Sequence, residues 1–468
     1  MAQLTQHRLR SLLGATAVAM TMAATPAFAD TLFTPVVEFS GMVRAAAVDG
    51  GPVYKGSKVS VTGQRLVPGQ QITLMRGTTV LNADGPLVAD TEGKFSFELT
   101  VDEEAAIGLQ PILLIAENPA AAEIVTMKIS PLIPLSGQDL FDVTSAPVTS
   151  GLYQVAYSAA SDAVFVASAV GRPPVKQSAL TKIDATTMEV LAEVTPAAAP
   201  ARADGSDGGV FAVYGVAVDD INGTVWVTNT RQNSVAVYQQ ADLSLIKQFE
   251  PGTVGHPRDV VVDTANERAY ASSTGTGLIE VFDTRTLEKL APIEIKSRQR
   301  GGAYSAMSLD LDSENGKLVN VSMKTDEAAL IDLATGDVSV LPLKGAKGAA
   351  GAAYDARENL IFVVSQQSDN LLIVNAETGA VLHDTPVGAQ PLNVTFDPVS
   401  RLAYVSVRSA NTIAVVNTKG ELVANLDGGS RPNQLRADGH GHIWAVNKTS
   451  GKDDPKGDRL SRISPVAQ

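Results

Sequence analysis

Beyond about residue 150, one hydrophobic pattern recurs along the chain. An apolar strand is followed by a second, more uniformly apolar one, a polar tip, and a third strand ending in a capped turn. The second strand reads Val225-Trp226-Val227-Thr228-Asn229, with copies at Val164-Phe165-Val166-Ala167, Ala269-Tyr270-Ala271-Ser272, Ile361-Phe362-Val363-Val364 and Ala403-Tyr404-Val405-Ser406. The third-strand turns fall at Asp184, Gln239, Asp283, Asp332, Asn375, Asn417 and Ser464, with gaps of 55, 44, 49, 43, 42 and 47 residues. Repeats of this length built from short strands predict four-stranded propeller blades. The last copy stops after its third strand, and Leu140-Phe141-Asp142-Val143 precedes the first. That segment is expected to supply the missing outer strand and so close a ring of seven, pairing edges that would otherwise stay open.

Residues 31–135 carry no copy of the repeat. Period-two strands occur instead at Lys58-Val59-Ser60-Val61-Thr62, Gln71-Ile72-Thr73-Leu74-Met75, Lys94-Phe95-Ser96-Phe97-Glu98 and Pro111-Ile112-Leu113-Leu114-Ile115, punctuated by turns at Pro68-Gly69 and Glu92-Gly93. This predicts an all-β chain: an immunoglobulin-like β-sandwich over 30–135, a linker from Pro131 to Gln138, and a seven-bladed β-propeller over 139–465.

The first 29 residues have a different character, with Arg8 and Arg10, a short apolar stretch from Leu12 to Ala24, and Ala27-Phe28-Ala29. This is the pattern of a secretory signal peptide cleaved near Ala29, and it predicts a periplasmic or secreted product. No later stretch approaches the roughly 20 apolar residues of a membrane span, so no membrane insertion is expected. The chain has no Cys, which excludes disulfides, thiolate metal sites and covalently attached c-type haem. Its net charge is −13, and −15 without the leader's two arginines. That argues against indiscriminate polyanion binding and leaves the distribution of charge open.

The strand order assigns loops to faces. First-to-second and third-to-fourth strand turns share one face, the bottom, and carry Asp219, Asp220, Asp263, Asp312, Asp355 and their neighbours, which are expected to stabilise tight turns. Blade-to-blade connections and second-to-third strand loops share the top. They carry Arg172, Lys176, Arg231, Arg258, Arg298, Arg300, Lys324, Lys344, Lys347, Arg408, Arg431 and Lys448. Asp326, Asp369, Asp453, Asp454 and Asp458 offset part of this charge. An acidic protein with one basic face is the functional clue.

The repeat resembles the bacterial YVTN-type β-propeller family, whose strand motif stands here as Trp226-Val227-Thr228-Asn229. It looks most like the YncE-like exported branch, through the run Gly151-Leu152-Tyr153-Gln154-Val155-Ala156-Tyr157-Ser158, the run Arg431-Pro432-Asn433-Gln434-Leu435, and the long polar loop from Lys448 to Arg462. The resemblance covers residues 139–465 and says nothing of the N-terminal domain. It implies a non-enzymatic propeller, with single-stranded DNA binding as the property associated with that branch. A fold does not carry function by itself.

Single-strand binding needs cations along phosphates and aromatic faces for bases. The mouth ends of the inner strands and the nearby loop tips offer Tyr153, Tyr214, Tyr304, Arg172, Arg231, Arg258, Arg408, Arg431, Asn433 and Lys448, with Asn229 as a polar rim. The competing expectations are tyrosines that plug the channel, arginines that are merely solvated, and Asn229, Asn411 and Asn447 bonding loop backbone in their own blades. The connection from Pro196 to Gly209 is a solvated loop or a lid. His440-Gly441-His442 lacks a third ligand for zinc. Asp332-Leu333-Ala334-Thr335-Gly336 and Asn375-Ala376-Glu377-Thr378-Gly379 echo the turns of quinoprotein propellers without the following Trp, and no nucleophile elbow or phosphate loop occurs. The expectation is a monomeric binding protein with no catalytic site, metal or cofactor. Its partner is single-stranded nucleic acid at the mouth or, alternatively, a protein of the envelope or nutrient-uptake machinery.

Overall fold

A computed structural model describes residues 36–466, so the expected leader lies outside the described residues. Seven four-stranded antiparallel sheets follow one another along the chain, the first six ordered from inner to outer strand as the chain runs. Their inner strands, Leu152–Ser158, Val216–Asp219, Pro257–Asp263, Ala306–Asp312, Ala349–Asp355, Pro391–Asp397 and Pro432–Ala437, contact one another around a central channel. The seventh blade takes its outer strand from Phe141–Pro147, which pairs with Arg459–Pro465 in continuous register from Phe141↔Pro465 to Pro147↔Arg459. The ring therefore closes as the truncated last repeat implied.

The uniform apolarity of the second strands has a simple cause. Blades cover both of their faces, so Thr224–Asn229 and Leu360–Ser365 are buried at every position. The outer strand Val381–Pro386, facing solvent on one side, alternates instead. Trp226 packs between blades 2 and 3 against Phe249 and Phe282, and Trp444 between blades 7 and 1.

The inner strands share two devices that shape the channel. Six of them open with a register shift against their second strand, as at Leu152/Gln154, Pro257/Val260 and Pro432/Gln434. Such an irregularity re-aims a side chain out of the sheet. Just after it, a polar side chain often accepts a backbone N–H from the next inner strand: Gln154 from Val216, Asp259 from Leu309, Asn393 from Leu435 and Gln434 from Val155, at 2.9–3.3 Å. Splayed inner strands cannot pair with each other through backbone, and these side chains satisfy the donors that remain. Glycine takes this position in blades 2 and 5, where the next blade lies too close for a side chain. A Cβ on Gly351 would stand 2.8 Å from Asn393 Cα.

The bottom-face carboxylates act in turns. Asp219, Asp263, Asp312, Asp355 and Asp397 each accept backbone N–H groups two or three residues ahead.

The N-terminal domain packs a three-stranded sheet (Met42–Ala47, Lys58–Gln64, Phe95–Thr100) on a five-stranded one built round Gln71–Arg76, Gly108–Glu117 and Ala121–Ile129. Alternate residues Val59, Val61, Ile72, Leu74, Ile112 and Leu114 fill the space between them. The domain sits on the top face over blades 5 to 7. Lys128 Nζ lies 2.6 Å from Asp369 Oδ1 and donates to the Gln366 carbonyl at 2.7 Å. The linker is strapped to blade 6 by backbone bonds between Ser136 and Asn425, and by the Asn425 amide donating to the Ile133 carbonyl.

Candidate anion site at the propeller mouth

The residue before each of these ring positions lies at or just before the top end of its inner strand. Around the ring these residues are Tyr153, Tyr214, Arg258, Met307, Ala350, Leu392 and Asn433, of which all but Ala350 and Leu392, packed into the core between blades, line one space at the mouth. At this position blades 7, 1, 2 and 3 thus bring polar or aromatic groups to the mouth and blade 4 brings Met307, while blade 6 reaches it through Asn393. The copies differ most at this level, and a cavity of about 430 Å³ opens there. Arg231, His256, Thr274 and Met323 from the loop tips complete its wall.

Within it the groups are tightly organised. The Tyr153 and Tyr214 rings meet edge to face with centroids 4.5 Å apart. Lys448 Nζ lies 3.2 Å from the Tyr153 ring centre. Asn433 donates to the Tyr153 carbonyl at 2.6 Å and accepts a hydrogen bond from Arg408. The Arg258 Nε is buried without a hydrogen-bond partner.

Among the described residues, Arg231, Arg258, Arg408, Arg431 and Lys448 form no ion pair, while cations elsewhere, such as Lys128, Lys317, Arg401 and Arg436, do. Burial lowers the Arg258 guanidinium below its usual range, with Asp259 opposing, and burial plus the charge of Arg431 does the same to Arg408. Burial and Arg408 push the Lys448 ammonium down to about 7, against the pull of Asp458. Burial, then Arg231, holds the His256 ring low as well. Cations removed from water without a counter-charge are costly, and an anion placed among them relieves that cost.

The structure brings together Tyr153, Tyr214, Arg231, Arg258, Arg408, Asn433 and Lys448, with Arg431 exposed on the rim beside Arg408. Three expected residues fall elsewhere. Tyr304 is buried between blades 3 and 4 and donates to the Asn320 carbonyl at 3.2 Å, because the mouth position of blade 4 is Met307. Asn229 is fully buried and its amide donates to the Phe211 and Ala212 carbonyls at 3.2 and 3.4 Å, so it braces its own blade. Arg172 is exposed and does not line the mouth cavity. The basic top face is also partly neutralised away from the mouth, as by Lys176–Asp207 at 3.4 Å. The connection over 196–209 is tied down by the Ala198↔Val210 bridge. His442 Nδ1 bonds Ser464 Oγ at 2.6 Å, and no group of three metal-ligating side chains occurs among the described residues. Met307 was findable in the sequence by aligning Met307-Ser308-Leu309 with Tyr153-Gln154-Val155.

No family model matches the chain. The uncharacterized protein YncE of Salmonella typhimurium strain LT2 is 23% identical over 330 residues, 67% of this chain and 87% of that protein. The uncharacterized YncE of Escherichia coli K12 is 24% identical over 323 residues, 65% of this chain and 85% of that protein. Among solved structures, Kuenenia stuttgartiensis hydrazine synthase superposes with a TM-score of 0.54 at 17% identity, over 68% of this chain and 96% of that one. U3-55K does so with a TM-score of 0.54 at 11% identity, over 69% and 98%. At these identities the structural likenesses speak to the fold alone, and they agree with the ring of blades. The chain folds as a seven-bladed β-propeller with an added N-terminal β-domain, and in sequence its propeller is similar to the YncE proteins.

Proposed function

We propose that this protein is an exported, non-enzymatic binding protein whose propeller mouth takes an anionic ligand, with single-stranded nucleic acid as its class. One observation carries the reading: Arg231 and Arg258 line the mouth, Lys448 lies over the Tyr153 ring in its wall, Arg408 and Arg431 stand at its rim, and none pairs with a carboxylate among the described residues. Phosphates would take these cations. A phosphate drawing Lys448 off the Tyr153 ring would also free an aromatic face for a base. The reading is tested by fluorescence anisotropy of a labelled oligothymidylate at low ionic strength, followed by a salt titration. Saturable binding that weakens steeply with salt supports it, and the absence of saturable binding at low salt removes it.

A second reading, a protein-interaction platform in the envelope, is favoured by the outer face of the N-terminal domain. There Leu113 and Ile124 are cross-strand neighbours, 37% and 62% exposed. Envelope pull-down with the Ile124→Asp variant beside the parent chain tests it. A partner retained equally by both removes that face from consideration.

A further inference from the structure

The mouth is not the only place where its cations are accessible. A second cavity, of about 690 Å³, lies between the N-terminal domain and blades 6 and 7. The propeller contributes Arg408, Arg431 and Asn411, and the domain contributes the turn at Gly50-Gly51-Pro52, together with Ser130. Ser130 lines this cavity, is 2% exposed, and its buried hydroxyl has no hydrogen-bond partner. Asp49 also lines the cavity and accepts the Gly51 N–H at 2.9 Å, and Lys128 is paired with Asp369. Two arginines without an ion pair and Ser130, whose buried hydroxyl is unsatisfied, therefore border one polar space. A buried hydroxyl without a partner is destabilising unless a ligand or water completes it.

We propose that this inter-domain cleft is a phosphate-binding subsite, formed jointly by the Arg408–Arg431 pair and Ser130. Two guanidinium forks suit the several oxygens of a phosphate group better than a single point charge would. The cleft and the mouth share Arg408, which reaches Asn433 at the mouth edge. A ligand with two or more phosphates can thus occupy both spaces. That bridging rests on the anion reading of the mouth; the cleft subsite itself does not.

The test is isothermal titration of the chain from residue 30 onward at low ionic strength, using inorganic phosphate and, separately, acetate. Phosphate is expected to give saturable heat, with half-saturation raised at least fivefold in both Arg431→Gln and Ser130→Val. Arg172→Gln, at an exposed residue that lines neither cavity, is expected to stay within twofold. Ser130→Ala provides a second hydroxyl deletion should the valine disturb packing, and melting temperatures verify folding. No saturable heat, unaltered titrations in the cleft variants, or an equal response to acetate overturns the phosphate subsite. An oligothymidylate run in parallel separates the two readings. If it fails to bind while phosphate titrates as expected, the mouth reading falls and the cleft stands. If it binds and phosphate gives no saturable heat, the cleft falls alone.

Discussion

The Lys448 ammonium sits 3.2 Å from the centre of the Tyr153 ring, where burial and the nearby Arg408 charge bring its pKa down to about 7. A cation over an aromatic face is stabilised by the ring's quadrupole, but here desolvation outweighs that help. The folded state therefore releases this proton near neutrality, whereas the unfolded chain keeps it until about 10.5. The unfolded state binds more protons across that window, so this group's contribution to stability rises as pH climbs from 7 toward 10.5. Anion affinity should move oppositely. Oligonucleotide affinity is expected to fall several-fold between pH 6 and pH 8.5, and Lys448→Met should flatten the profile. An unchanged pH profile in that variant would remove Lys448 from the site.

Arg258 is the mouth cation whose guanidinium is most deeply enclosed, with its Nε unpartnered. Replacing it with Met keeps the volume and deletes the charge. Oligonucleotide affinity is expected to drop by about tenfold, and the slope of log affinity against log salt should shrink by about one unit, as for a lost phosphate contact. The melting temperature should hold or rise, because an uncompensated buried charge has been removed. A clear fall in melting temperature would mean that Arg258 serves the ring instead.

The blades were legible because a doubly covered strand must be apolar throughout, and Thr224–Asn229 says so without any neighbour in view. The closure by Phe141–Pro147 was legible too, since a repeat that stops one strand short needs a partner from elsewhere. Register at the channel was less so. Tyr304 and Met307 are three residues apart, and only the shift between Ala306 and Leu309 decides which of them faces the mouth. The placement of the N-terminal domain over blades 5 to 7 could not be read at all. It depends on the contact of Lys128 with Asp369, 241 residues away, and neither residue carries a local signature of that pairing.

That contact is itself a prediction. Asp369 is nearly fully buried and also accepts the Gln390 N–H at 2.8 Å, so it ties domain, blade 5 and blade 6 together. Lys128→Met would leave the Asp369 carboxylate buried without its cation, a loss on the order of 3 kcal/mol for a buried pair. The expected result is faster proteolytic cleavage within the 131–138 linker and a lowered first thermal transition. The oligonucleotide contacts of Arg231 and Arg258 should be spared. Linker cleavage at the parental rate would show that the strap between Ser136 and Asn425 holds the domain alone.

At the opposite end of the channel, Asp310 lines a cavity of about 710 Å³ and accepts the Tyr354 N–H at 2.8 Å. Burial raises its pKa from 3.8 to about 6, with Arg436 opposing and Asp259 adding to the rise. Arg436 does not neutralise it fully because its Nη2 lies 3.4 Å from Asp259, with which it is paired. A carboxyl whose folded pKa is raised holds its proton in the native state while the unfolded chain has released it. The stabilising contribution is complete below about 3.8 and is lost as pH rises through 6. Above that range the native protein carries a desolvated carboxylate that only the Tyr354 amide and a shared arginine support. Asp310→Asn retains an acceptor for that amide and never ionises. It should therefore melt close to the parent at pH 4 and a few degrees higher at pH 7.5, as followed by calorimetry. A difference that stays constant between those pH values would show that ionisation of Asp310 is not what the channel resists.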